Sequence, residues 1–126
     1  MAKQGVSTVR APKAIGPYSQ AISSNGLIFC SGQIALDPAS GELQSGSVAD
    51  ETRVCMQNLT AVLDAAGATW ADVLKVNVYL TDFDQYAVFN EVYAEFFDEE
   101  PPARAAIGVA ALPKGAQVEV DCIARV

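Results

Sequence analysis

The spacing of apolar positions changes period several times along the chain, and each change marks an element. Val6 to Val9 predicts a weak strand, and Ala11-Pro12 and Gly16-Pro17 then punctuate a loop. Tyr18 to Ser23 and Leu27 to Ser31 read as two strands around Ser24-Asn25-Gly26, where Asn-Gly is a strong hairpin signal. Asp37-Pro38-Ala39-Ser40-Gly41 predicts a turn. From Ser47 the period becomes helical: Cys55, Leu59, Val62 and Ala66 form one stripe with Met56 and Leu63 beside it. Ser47 with Asp50 makes a capping pair, and Gly67 terminates the helix. Thr69 to Asp72 predicts one capped turn, and Val73 to Leu80 a strand. A second helix is expected from about Asp84 to Phe97, with Phe89, Val92, Tyr93, Phe96 and Phe97 on its inner face. Pro101-Pro102 forbids its continuation. Ala103 to Ala110 and Gln117 to Ala124 complete the series as strands.

The order β-β-β-α-β-α-β-β predicts an α+β fold: a six-stranded mixed sheet in a single layer, with two helices on one face. The 126 residues fit one domain, 1–126. Two helices cover only one face, so the residues on the other bear on function. In the last strand Val118, Val120, Cys122 and Ala124 share a face, and Glu119, Asp121 and Ile123 share the other. In the strand before it, Arg104 alternates with the apolar set in line with Ala106, Gly108 and Ala110, and is expected on the uncovered face. Small neighbours leave room for a ligand or a second backbone. A guanidinium suits a carboxylate, whether a substrate's or that of a neighbouring acid in a plain ion pair. The short link makes these two strands antiparallel. As direct partners they would hold Arg104 and Glu119 far apart along the strands. Either another strand intervenes, or Arg104 meets a Glu119 from a second chain. A polar-dotted open face suggests burial in an oligomer.

Composition then narrows the chemistry. There is no histidine, which excludes histidine-assisted nucleophiles and histidine-ligated metals. The net charge of −7 repels phosphate backbones and argues against nucleic-acid partners. Cys30, Cys55 and Cys122 sit in apolar runs and read as small buried hydrophobes in a reducing compartment. The start lacks the apolar core of a signal peptide. The uncharged stretch from Ala14 to Leu36 is broken by Gly16-Pro17, Ser23-Ser24-Asn25-Gly26 and Ser31-Gly32, so no membrane span is expected. A soluble, cytoplasmic protein follows.

Ile15-Gly16-Pro17-Tyr18-Ser19-Gln20-Ala21, Phe29-Cys30-Ser31-Gly32-Gln33-Ile34 and Pro102-Ala103-Arg104, then Leu112-Pro113 and Val118-Glu119-Val120-Asp121, resemble the Rid (YjgF) family across essentially the whole chain. The resemblance implies a chorismate-mutase-like α+β fold and a homotrimer with sites between subunits. It further implies cofactor-independent hydrolysis of 2-aminoacrylate and related 2-imino acids, such as 2-iminobutanoate and 2-iminopropanoate, to 2-keto acids and ammonia. By position, Arg104 becomes the carboxylate clamp and Glu119 the residue that holds or activates water. Tyr18 lines the cleft, and Ser31 and the Gly32 backbone contact the ligand. Ala106 stands where many members carry a cysteine whose backbone is the usual contact, so a changed pocket is expected there.

Such a reaction is compatible with the residues present. A 2-imino acid is already electrophilic at C2, so hydrolysis needs a held carboxylate, a placed water and a group that moves protons. No cofactor and no metal are expected. Two other functions share the same framework: a non-catalytic trimer that binds keto or imino acids as a regulator or chaperone, and the endoribonuclease or translation-inhibitor role of some relatives.

Overall fold

The structure, a computed structural model, describes residues 2–126. Its elements in chain order are β1 (Gln4–Val6), β2 (Ala21–Ser24), β3 (Leu27–Gln33), α1 (Val48–Ala65), β4 (Val73–Leu80), α2 (Tyr86–Ala94), β5 (Ala103–Gly108) and β6 (Val118–Arg125). They build one six-stranded sheet in the order β1-β2-β3-β6-β4-β5. All neighbours are antiparallel except β4 and β5, which run parallel on either side of the crossover through α2.

The α+β architecture and the element order agree with the sequence pattern, and the differences lie at the ends. The first strand forms at Gln4–Val6, ahead of the expected Val6 to Val9. The second starts only at Ala21, leaving Tyr18 in the preceding loop. That loop is held by buried Gln20, whose Nε2 donates to the carbonyls of Pro12 (2.8 Å) and Thr8 (3.1 Å) and whose Oε1 accepts from the Thr8 N–H (2.7 Å). These side-chain bonds substitute for a strand ladder. The Asn-Gly hairpin forms as expected, with positive φ at both Asn25 (52°) and Gly26 (79°).

Helix α1 is capped by the Ser47 hydroxyl, which accepts from the Asp50 N–H. The second helix is shorter than its apolar spacing suggests. A 3₁₀ turn at Phe83–Gln85 precedes it, and Phe96 and Phe97 lie beyond its end, edge-on to Trp70 at 6.0 and 5.3 Å between ring centres. The period continues there because packing continues, although the α-helix does not.

The core lies between the helices and one sheet face. Val76, Val78, Leu80, Val118 and Val120 of the central strands meet Met56, Leu59, Val62 and Phe89 of the helices, all fully buried. The three cysteines are buried and free, as their apolar settings suggest. Burial pushes the Cys55 thiol up, out of any thiolate role. Glu51, also buried, accepts from the Gln117 N–H at 2.8 Å and Nε2 at 2.7 Å, tying the first turn of α1 to the start of β6.

That tie is a testable part of the framework. Glu51→Ala strands two donors and opens space, so it should cost about 2–3 kcal/mol of folding free energy. Urea unfolding reads this directly, and a loss below about 0.5 kcal/mol would show the tie to be dispensable.

Candidate active site

Pleating sends alternate residues of a strand to opposite faces, so the pairing register decides which face each candidate occupies. Arg104 of β5 pairs with Val76 of β4, which in turn pairs with Cys122 of β6. All three point to the helix-covered face. This corrects the expectation that Arg104 occupies the open face: its small neighbours make room for side chains of α2. The open-face positions of β5 are Ala103, Ala105 and Ile107, opposite Lys75, Asn77 and Tyr79. Ala106 follows Arg104 on the covered face and packs against the core.

Helix α2 presents Tyr86, Asn90 and Tyr93 to Arg104 at helical spacing. The guanidinium donates to the Asn90 Oδ1 at 2.8 Å and to the Tyr86 hydroxyl. It lies 4.8 Å from the centre of the Tyr93 ring and 5.5 Å from that of Tyr86. Burial pushes the Tyr93 phenol up to about 12. Among the described residues, no carboxylate lies within 4.0 Å of Arg104; the ion pairs are Arg10–Asp64 and Arg53–Glu95. The plain intrachain ion pair is therefore excluded. A planar, charged fork with only neutral hydrogen-bond partners borders a hollow of about 580 Å³, alongside Asn90, Tyr93, Phe97, Glu99 and Pro102. The arrangement suits an anion.

Glu119 sits on the open face of β6, opposite Tyr79 of β4. Beside it β3 carries a bulge: Cys30 pairs with Cys122 and Gln33 with Val120, so Ser31 and Gly32 together face the single residue Asp121. The bulge brings the Gly32 backbone under the Glu119 carboxyl. A Cβ on Gly32 would stand 2.1 Å from Glu119 Oε2, so only glycine permits the approach. Ser31 donates to the Ser19 carbonyl at 2.6 Å, fixing the bulge to the Tyr18 loop. Tyr18, 53% exposed, accepts from the Ile15 N–H at 3.4 Å. Together Tyr18, Ser31, Gly32 and Glu119 line a cleft of about 550 Å³, with Lys13 and Lys114 at its wall. Burial, and secondarily the charge of Asp121, hold the Glu119 carboxyl above the usual glutamate value.

The structure thus brings Tyr18, Ser31, Gly32 and Glu119 together and sets Arg104 and Ala106 apart from them. Strand β4 intervenes, one of the two routes the sequence geometry leaves open. The faces also differ, so no single chain brings Arg104 to Glu119.

The family described as Endoribonuclease L-PSP matches residues 8–126. The chain belongs to that family, the Rid (YjgF) proteins. It is 46% identical over 119 residues to human 2-iminobutanoate/2-iminopropanoate deaminase, covering 94% of this chain and 87% of that one. It is 48% identical over 122 residues to a RutC family protein of Pyrococcus horikoshii, covering 97% of each. Among solved structures, E. coli TdcF with bound serine superposes with a TM-score of 0.93 at 39% identity, covering 98% of both chains. RidA from an Antarctic Psychrobacter gives 0.94 at 42% identity, covering 98% of this chain and 99% of that one.

For a Rid chain, the side chains that sequence reasoning missed are those that hold the candidates. Tyr86 and Asn90 were absorbed into a helix pattern scored only for apolar spacing. Tyr93 was assigned to the core, and its contact with a cation has no one-dimensional signature. Asn77 and Tyr79 carry no signal beyond membership of the Val73–Leu80 strand, yet both donate to Asp121, at 2.9 Å each. A signal was present for the first group: positions 86, 90 and 93 recur at i, i+4 and i+7.

The approach of Glu119 to Gly32 predicts an asymmetric response to a small change. Gly32→Ala should leave the melting temperature within about 3 °C, because the flexible end of Glu119 can swing away. A crystal structure of the variant should show the carboxylate displaced from the bulge. An undisplaced carboxylate would mean that the bulge itself yields.

Proposed function

We propose that this Rid protein hydrolyses 2-imino acids to 2-keto acids and ammonia, at sites assembled between neighbouring subunits of a homotrimer. The observation that carries this reading is the separation of the two chemical halves. An anion-ready Arg104 borders one hollow and a proton-accepting Glu119 lines another, on opposite faces of one sheet. Each half lacks what the other offers. The open face, with Phe29 44% and Ile107 50% exposed, favours burial against another copy. The similarity to deaminases at 46% identity supports the same chemistry.

In this reading Arg104 holds the substrate carboxylate in a two-pronged hydrogen bond, fixed by Tyr86 and Asn90. Glu119 accepts a proton from water as its oxygen bonds to C2 of the iminium. Glu119 returns that proton to the carbinolamine nitrogen. The C–N bond then breaks as the hydroxyl oxygen closes to C=O and gives its own proton to Glu119, which passes it to solvent, and keto acid and ammonia leave. Tyr18 donates a hydrogen bond in the cleft, and Ser31 and the Gly32 backbone shape it; Ala106 contributes backbone beside the clamp. A carboxyl held above its usual value is a better match for proton transfer near neutral pH. No step calls for a metal or an organic cofactor. The acid limb of kcat should therefore lie above the ordinary glutamate range.

The direct test is ammonia release from 2-aminoacrylate or 2-iminobutanoate generated in situ. Glu119→Gln should lower kcat by roughly 10²–10³ while 2-oxobutyrate binds within a few-fold of wild type. Binding without hydrolysis in the wild type would favour a regulatory keto- or imino-acid-binding protein instead. Activity of the Gln variant within about threefold of wild type would remove Glu119 from the chemistry.

A mixing experiment addresses the shared site. Arg104→Lys and Glu119→Gln should each be nearly inactive, because a lysine cannot reproduce the two-pronged grip. Mixed trimers reassembled from equal amounts should regain up to about a quarter of wild-type activity, since some interfaces then unite an intact Arg104 with an intact Glu119. No recovery after verified exchange of subunits would place both residues' roles within one chain.

A further inference from the structure

Two residues beyond Glu119 on the same face of β6, Asp121 takes no direct part in the proposed hydrolysis. Both of its oxygens are engaged: Asn77 Nδ2 donates to one and the Tyr79 hydroxyl to the other, each at 2.9 Å. The donors come from β4, where Asn77 is the direct cross-strand partner of Asp121 and Tyr79 that of Glu119. The clamp therefore fixes Asp121 against the strand that also faces Glu119. Both donors are neutral, and among the described residues no cation lies within 4.0 Å of Asp121. Its charge is held in place without being cancelled.

We propose that Asp121, clamped by Asn77 and Tyr79, is a positioning residue for the hydrolysis: a fixed negative charge that keeps Glu119 basic enough to draw a proton from water. This inference rests on the reading that Glu119 moves the proton. Within one chain, the surroundings leave Asp121 as the nearest source of such a field. From β3, Glu119 meets Ser31 and Gly32, neither of which titrates near neutral pH. From β4 it meets Tyr79, whose phenol burial and Asp121 push up and keep neutral. Lys13 and Lys114 reach the same cleft from its loops and oppose the effect, and Lys114 is drawn toward the Gly41 carbonyl at 3.2 Å. Lys75 shares the open face further along β4. The helices lie on the other face. Burial raises the Glu119 carboxyl first and Asp121 adds to it, in the direction a like charge requires.

The test follows the side-chain carboxyl ¹³C resonance of Glu119 against pH in the full chain. In the wild type that curve should depart from a single-step titration, as it does for a site that interacts with a second acid. Asp121→Asn should move the Glu119 midpoint and the acid limb of kcat together to lower pH. Its kcat near pH 7 should fall about three- to tenfold, with 2-oxobutyrate affinity within about twofold of wild type. Asp121→Glu should restore kcat to within about twofold. A single-step Glu119 curve in the wild type would overturn the inference without any variant having to fold. So would an Asn variant with an unmoved Glu119 midpoint. Coupled titration in a protein that hydrolyses no imine would instead overturn the deaminase reading and leave the electrostatic coupling standing.

Discussion

Everything chemical in this molecule depends on one constraint: the parallel pairing of β4 with β5 in the register that sets Val76 beside Arg104. Because side chains alternate across a pleated strand, that register sends Arg104 under α2 and leaves Ala105 and Ile107 on the open face. A slip by one residue would exchange these sets. The guanidinium would lose Asn90 and the Tyr86 and Tyr93 rings, and apolar Ile107 would enter the core side. The antiparallel register of β4 with β6 fixes the opposite outcome for Glu119, which faces outward beside Tyr79. Two ladders of backbone hydrogen bonds thus hold the complementary groups on opposite sides of the sheet.

The two groups are prepared in different ways. Arg104 is surrounded by neutral acceptors and aromatic faces, which orient a permanent charge without neutralising it. Glu119 is half-covered beside a second acid, which penalises its charged form and makes it a better proton acceptor. Both arrangements cost stability, since unpaired charge is being desolvated. The interior offsets that cost elsewhere, with an apolar layer of β-branched residues and a helix stripe that are fully buried. Buried Glu51 serves the framework and not the site, because its oxygens are taken by Gln117.

The absence of histidine shapes the chemistry that remains possible. In the proposed hydrolysis, an already electrophilic substrate would need only orientation and proton transfer, which an arginine and a carboxylate would supply. The glycine bulge of β3 contributes by steric permission, since a larger residue at Gly32 would occupy the space of the Glu119 carboxyl. Among the described residues no helix is long and apolar enough to cross a membrane, which agrees with the broken pattern of the Ala14–Leu36 stretch.

By itself the sequence determined the local structure. The Asn25-Gly26 turn, the Ser47 cap, the stripe of α1 and the stop at Pro101-Pro102 all rest on interactions between near neighbours, whose effect depends on residue type and spacing. The alternation of β6 likewise separated Glu119 from the core set, because a central strand has one covered face and its apolar residues mark it. The same logic misled for β5, where the more apolar set, Ala103, Ala105 and Ile107, lies on the face that proves open. Arg104 lies on the covered side because α2 lends it polar partners, and no alternation pattern encodes a partner from another element. Tyr18 fell outside its expected strand for a similar reason: Gln20 bonds to Thr8 and Pro12, far back in the chain. Only the tertiary structure decided these points, since which face a charged side chain can occupy depends on what distant residues bring to meet it.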